Sequence, residues 1–198
     1  MNGVHGIIFS YEKSNGLREL TEPRIHGSVP FGGSYRMVDF ILSDMVNAGI
    51  RDVGVIMHGK CQSMLDHLGN GRSWDLSRNR GGLTLLPAFA YAESRNSAGR
   101  FRGKVEALGC VLEYLREIRQ EYVVLADSDL VINLPLEQVL QAHIASGADL
   151  TEVCTAEPGT PSDTYLEMDE QGRIVDVAYD VHTPAGYRCL NVCILRRE

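Results

Sequence analysis

The sequence predicts an α/β fold built on a mostly parallel, mixed sheet flanked by helices. Three observations carry that reading. Branched apolar runs of strand length alternate with segments of helical period over roughly the first 150 residues. Beyond them, short strand-like runs follow one another, which adds an antiparallel extension. The 198 residues, 44% apolar and 23% charged, suit one globular domain with a sizeable core.

The elements follow in order. Residues 4–10 form a short apolar strand leading into a polar, glycine-containing loop. Across 35–47, Met37, Val38, Ile41, Leu42, Met45 and Val46 recur at three- and four-residue spacing, one face of a helix that Ala48-Gly49 can end. Residues 52–58 read as a second strand, 60–68 as a short helix, 69–82 as a polar loop and 83–86 as a strand. The spacing of Val105, Leu108, Leu112, Leu115 and Ile118 predicts one helix over 103–119. Residues 122–126 are a buried-type strand ending at Asp127. Pro135 suits the start of a helix over 136–145, and Gly147 its end. Strands are expected at 148–155, 164–168, 174–179 and 187–195, with a turn at 170–173.

Composition excludes some functions. A net charge of −7 lacks the basic face that nucleic-acid binding needs. No apolar run approaches the roughly 20 residues of a membrane-spanning helix, and the N-terminus has no signal-peptide pattern. Cys61, Cys110, Cys154, Cys189 and Cys193 are scattered and odd in number. They read as free thiols in a reducing cytoplasm, with Cys189 and Cys193 on one strand face.

In an open α/β sheet, ligands sit beyond the carboxyl ends of the strands. The loop after the first strand, Tyr11-Glu12-Lys13-Ser14-Asn15-Gly16, is where phosphates would be cradled, yet it has one glycine and an acidic residue. It reads as an ordinary surface loop. After the fourth predicted strand, Asp127-Ser128-Asp129 forms a DxD. If that segment is extended, both carboxylates project to one side and could hold a metal. Arg72, Arg78 and Arg80 cluster in an acidic protein and could receive an anionic effector, although a solvated loop is the plainer reading.

Residues 29–50, VPFGGSYRMVDFILSDMVNAGI, resemble the segment after the nucleotide loop in bacterial glucose-1-phosphate adenylyltransferases (ADP-glucose pyrophosphorylases). The likeness extends to Arg100-Phe101-Arg102-Gly103-Lys104 and to Leu125-Ala126-Asp127-Ser128-Asp129. It is nearest to the divergent D-type subunit of glycogen synthesis. The resemblance implies a Rossmann-like, GT-A-type nucleotidyltransferase domain over 1–198, incomplete at its C-terminus, with the family's β-helix domain absent.

Set against the family pattern GGxGTRLxxLT, the frame survives at Leu17, Leu20 and Thr21, but Gly16 stands at the catalytic arginine. Arg24 matches, while His26 replaces a phosphate-contacting lysine. Gly103 matches a nucleotide-side glycine. Lys104 replaces a threonine, and Ser128 falls on the aspartate that holds Mg²⁺. Pro30, Gly32, Gly33, Arg36 and Asp39 also match; their expected role is structural, with Asp39 pairing Arg36. The family's EKP element has no counterpart at 177–184.

These departures imply a non-catalytic or regulatory subunit of glycogen biosynthesis. It would be cytoplasmic and partnered by a catalytic glucose-1-phosphate adenylyltransferase subunit in a hetero-oligomer, or self-assembled as a homo-oligomer. Two alternatives follow from the same resemblance. One is an active enzyme making ADP-glucose from ATP and glucose 1-phosphate with Mg²⁺. The other is a module binding a sugar phosphate, nucleotide or other effector.

Overall fold

The computed structural model describes residues 3–11, 17–78, 81–88, 103–179 and 186–197. Lys13, Gly16, Arg80, Arg100, Phe101 and Arg102 lie outside them. So do 180–184, the latter part of the segment set against EKP.

The strands are β1 (Val4–Tyr11), β2 (Pro30–Phe31), β3 (Tyr35–Arg36), β4 (Asp52–His58), β5 (Gly82–Pro87), β6 (Tyr122–Asp127), β7 (Leu150–Thr155), β8 (Tyr165–Met168), β9 (Ile174–Ala178) and β10 (Tyr187–Arg196). The helices are α1 (Met37–Asn47), α2 (Gln62–Leu68), α3 (Lys104–Gly109), α4 (Leu112–Glu117) and α5 (Leu136–Ser146). The main sheet runs β5-β4-β1-β6-β10-β8-β9, and β7 adds to the other edge of β10. β5, β4, β1 and β6 are parallel, while β7, β8, β9 and β10 pair antiparallel. The predicted class is that found, and the eight predicted strands are those of the main sheet.

Side-chain alternation along the strands builds two cores. On one face Ile8, Val53, Val55, Val124, Ala126, Val192 and Ile194 meet α1, α2 and α5 through Val38, Ile41, Leu42, Met45, Met64, Leu68 and Leu140. Each such large side chain contributes about 1.5–3 kcal/mol by leaving water. On the other face Ile7, Phe9, Ile56, Val123 and Leu125 pack against Ala107, Tyr114, Leu115 and Ile118.

Three local expectations change. The helix expected over 103–119 is two helices, broken at Val111, whose φ of −121° and ψ of 28° leave the helical region. Val105 is 83% exposed and Leu112 50% exposed, while Ala107 is fully buried. Breaking and re-aiming the chain therefore keeps Leu108, Leu115 and Ile118 of the predicted stripe against the sheet, turns Val105 and Leu112 outward and adds Ala107. Tyr35-Arg36 pairs with Pro30-Phe31 across a tight turn at Gly32 and Gly33, whose φ values of 58° and 94° favour glycine. Asp39 does not pair with the Arg36 guanidinium. Its Oδ2 accepts the Arg36 main-chain N–H at 2.9 Å, capping α1, and its Oδ1 lies 2.7 Å from His67 Nε2. The Arg36 guanidinium instead donates to Ser63 Oγ at 2.5 Å and to the Ser63 carbonyl.

Candidate functional site

The carboxyl ends of β1 and β6 lie side by side, with Phe9 opposite Asp127. The chain leaves β6 through a turn at Ser128-Asp129, fixed by the Ser128 N–H donating to the Phe9 carbonyl at 2.9 Å. Farther along, the Leu134 N–H donates to the buried Asp44 Oδ2 at 3.1 Å, which ties this loop to α1. The turn removes the extended geometry on which a shared Asp127–Asp129 metal site depended. Asp127 is 3% exposed and Asp129 half-buried.

Ser128 faces inward. It is 3% exposed, and its Oγ donates to Ser10 Oγ, at the end of β1, over 2.9 Å. Gly27 closes over this pair so tightly that a Cβ there would meet Ser128 Oγ at 2.2 Å and Met64 Cε at 2.9 Å. Gly27 belongs to a 3-10 turn over His26–Ser28, held by Ser28 Oγ donating to the Ile25 carbonyl at 2.9 Å. His26 and Arg24 are half-buried, each with one buried ring or guanidinium nitrogen lacking a hydrogen-bond partner. Burial, followed by the like charge of Arg24, lowers the Arg36 guanidinium from its usual value, so Arg24 and Arg36 form a cationic corner.

The opposite face of the same strand ends carries charge. Gly103 precedes α3, and Lys104, the first residue of that helix, reaches back over the sheet. Its Nζ lies 3.2 Å from Asp127 Oδ1, 3.1 Å from Asn191 Oδ1 and 3.5 Å from the Asn191 carbonyl. It also stands 5.6 Å from the centre of the Phe9 ring, within range of a cation–π contact. Asn191 sits in a bulge where β10 slips by two residues against β7. Because two extra residues preserve side-chain alternation, Cys189, Cys193 and Glu152 stay on the Asp127 face.

Glu152 Oε1 accepts from Cys189 Sγ at 3.0 Å. Burial raises the Glu152 carboxyl, and Cys189 and Lys104 partly offset it. Burial also pushes the Cys189 and Cys193 thiols up to about 12, so both are unreactive near neutrality. All five cysteines are free.

Mg²⁺ fits these residues poorly. The buried carboxylate at the β6 end already faces an ammonium, and the position matched to the family's metal ligand is a hydroxyl turned toward Ser10. Among the described residues, no group of three or more His, Cys, Asp or Glu side chains could hold a metal ion.

The candidate effector arginines lie elsewhere. Arg78 bonds the Asp75 carboxylate at 2.7 Å and its carbonyl at 3.1 Å, and Arg72 is exposed on a 3-10 turn. The structure therefore gathers Ser128, Gly27, Asp127 and Lys104 around the β1 and β6 ends, and it leaves Arg72 and Arg78 in a separate loop. Sequence reasoning missed Asn191, Glu152 and Phe9. Asn191, a residue tolerant of positive φ inside a strand-like run, was the one available signal for the bulge.

Comparison with known proteins agrees with this fold. A nucleotidyl transferase family profile matches residues 6–178. The glycogen biosynthesis protein GlgD of Bacillus subtilis is 37% identical over 193 residues, covering 98% of this chain and 54% of that protein. A glucose-1-phosphate adenylyltransferase of Thermotoga neapolitana is 35% identical over 178 residues, covering 89% of this chain and 41% of the enzyme. The chain thus spans about half the length of the curated relatives it matches. A solved Bacillus anthracis structure described as a glucose-1-phosphate thymidylyltransferase superposes with a TM-score of 0.77 at 13% identity. It covers 98% of this chain and 72% of its own, a likeness of fold alone. Among the described residues no helix is long and apolar enough to cross a membrane. The profile match and the sequence relatives, on a fold of the same class, lead to one conclusion: the chain belongs to the nucleotidyl transferase family.

Proposed function

We propose that this chain has kept the nucleotidyltransferase fold without the reaction, and acts as a non-catalytic, regulatory subunit in glycogen biosynthesis. Its partner is a catalytic glucose-1-phosphate adenylyltransferase subunit, in a cytoplasmic setting. One observation supports the reading above the others: the buried Ser128–Ser10 hydrogen bond beneath Gly27. At the strand end where phosphoryl transfer needs a charged, accessible metal ligand, this chain has a neutral hydroxyl spent on internal packing. Losing one electrostatic stabiliser of a transferring group costs on the order of 10²–10³ in rate. His26 adds to the deficit, because an imidazole is shorter than a lysine and a poor substitute for it at a phosphate.

The choice of partner draws on the similarity to GlgD and to the adenylyltransferases. The effector-module alternative has less behind it, since Arg78 is engaged by its own loop.

Mixing is the test. Added to a catalytic glucose-1-phosphate adenylyltransferase subunit, the chain is expected to co-elute with it on size exclusion. It is also expected to change the subunit's kcat or KM at least twofold, on the order of 0.4 kcal/mol. Separate elution with unchanged kinetics would remove the regulatory reading.

A further inference from the structure

We propose that the cleft at the amino ends of β1, β4 and β5 is a binding site for an uncharged polyhydroxy ligand, a sugar or polyol. It lies at the strand ends opposite the Asp127 site, since His5 precedes Phe9 by four residues, about 13 Å of strand. Its volume is about 390 Å³, at the lower end of the range for small-molecule sites. His5, Asp52, Thr84, Tyr114 and Gln120 supply its polar lining.

Two glycines make room for these groups. A Cβ at Gly54 would meet the Tyr114 hydroxyl oxygen at 2.7 Å, so only a bare backbone lets that ring lie on the sheet. Gly81, at a φ of 72°, does the same for Asp52, whose Oδ1 a Cβ would meet at 1.6 Å. Asp52 accepts from the Gly82 N–H at 3.0 Å through Oδ1 and from Gln120 Nε2 through Oδ2. Gln120 Oε1 accepts from the Arg119 N–H at 3.1 Å, which fixes both ends of that amide. His5 completes the set. It is 5% exposed, its Nε2 lies 2.8 Å from the Tyr114 hydroxyl, and its Nδ1 is buried with no hydrogen-bond partner. A buried nitrogen left unmatched costs stability, and a ligand hydroxyl that reached it would remove that cost.

The lining chemistry narrows the ligand. Asp52 and Glu117 set two carboxylates against the single guanidinium of Arg119, which disfavours a phosphate or carboxylate. Among the described residues no three His, Cys, Asp or Glu side chains could hold a metal ion. Burial lowers His5 to about 4, so its imidazole is uncharged near neutrality. A carboxylate, an amide, a neutral imidazole and two hydroxyls together offer both donors and acceptors, as adjacent ligand hydroxyls require. The Tyr114 ring adds apolar surface beside them. The inference is independent of the non-catalytic reading.

The test is an NMR titration of the nitrogen-labelled chain with glucose, maltose and myo-inositol. At least one of them should shift the His5 ring and the Gly54, Gly82 and Thr84 amides along a single saturable curve. The expected Kd is about 1–10 mM, as befits a ligand of this size held by a few hydrogen bonds. The monophosphate of the best ligand should bind at least about fivefold more weakly. Asp52→Asn should weaken binding at least about tenfold, and Gln120→Ala at least about threefold, with the remaining signals unchanged. If Asp52→Asn does not fold, Gln120→Ala decides. Four results overturn the proposal: no saturable shift from any of the three at about 100 mM, shifts confined to other surfaces, equal or tighter binding of the monophosphate, or unchanged affinity in the folded variants.

Discussion

Ser128→Asp is expected to destabilise the chain by about 2–5 kcal/mol and to release no pyrophosphate from ATP and glucose 1-phosphate. The substitution restores the family's metal-holding residue type at its matched position, so sequence alone would call it a repair. The surroundings predict damage. Ser128 is 3% exposed, bonds Ser10 Oγ at 2.9 Å, and has Gly27 and Met64 packed against it. A carboxylate there needs more room than a hydroxymethyl group and brings a second buried negative charge next to Asp127. The lower urea midpoint checks the stability half, and a coupled pyrophosphate assay checks the activity half. Measurable turnover in a stably folded Ser128→Asp chain would mean that the site is open and only one residue short.

Acid is expected to remove about 3 kcal/mol through His5 alone. His5 is 5% exposed at the start of β1, with Nε2 2.8 Å from the Tyr114 hydroxyl. Burial pushes its pKa down from 6.5 to about 4, against smaller raising effects of Asp52 and Gln120. As pH falls below 6.5 the unfolded chain takes up a proton that the folded chain refuses until near pH 4. Stability therefore falls through that window and the loss levels off below it. His143 is also lowered by burial and acts in the same direction, so the measurement must be a difference. Urea denaturation at pH 7 and pH 4.5 should show His5→Gln losing about 2–3 kcal/mol less than the parent chain. Equal losses in the two chains would mean that His5 is protonated in the folded state.

Much of the fold was legible because its signals are local. The branched runs at 52–58 and 122–127 are strands, and the Met37–Val46 periodicity is α1. What failed depends on tertiary context. The helix over 103–119 breaks so that the sheet takes Ala107 together with Leu108, Leu115 and Ile118 and leaves Val105 and Leu112 outside, a choice that periodicity cannot make. The Arg36–Asp39 pairing looked natural at a spacing of three, but Ser63 and His67, 27 and 28 residues away, offered better partners.

The site was legible as substitutions and not as geometry. That His26, Lys104 and Ser128 depart from the family could be read from the sequence. That Lys104 reaches Asp127 and Asn191 required the register of β6, β7 and β10, which no local pattern encodes.

On the proposed reading, this chain has a nucleotidyltransferase fold without its chemistry. Pyrophosphate released by the purified chain alone, with saturating Mg²⁺-ATP and glucose 1-phosphate, tests it most directly. The expected rate is at least about 10³ below that of a catalytic glucose-1-phosphate adenylyltransferase assayed alongside. A rate within about tenfold of that enzyme would contradict it.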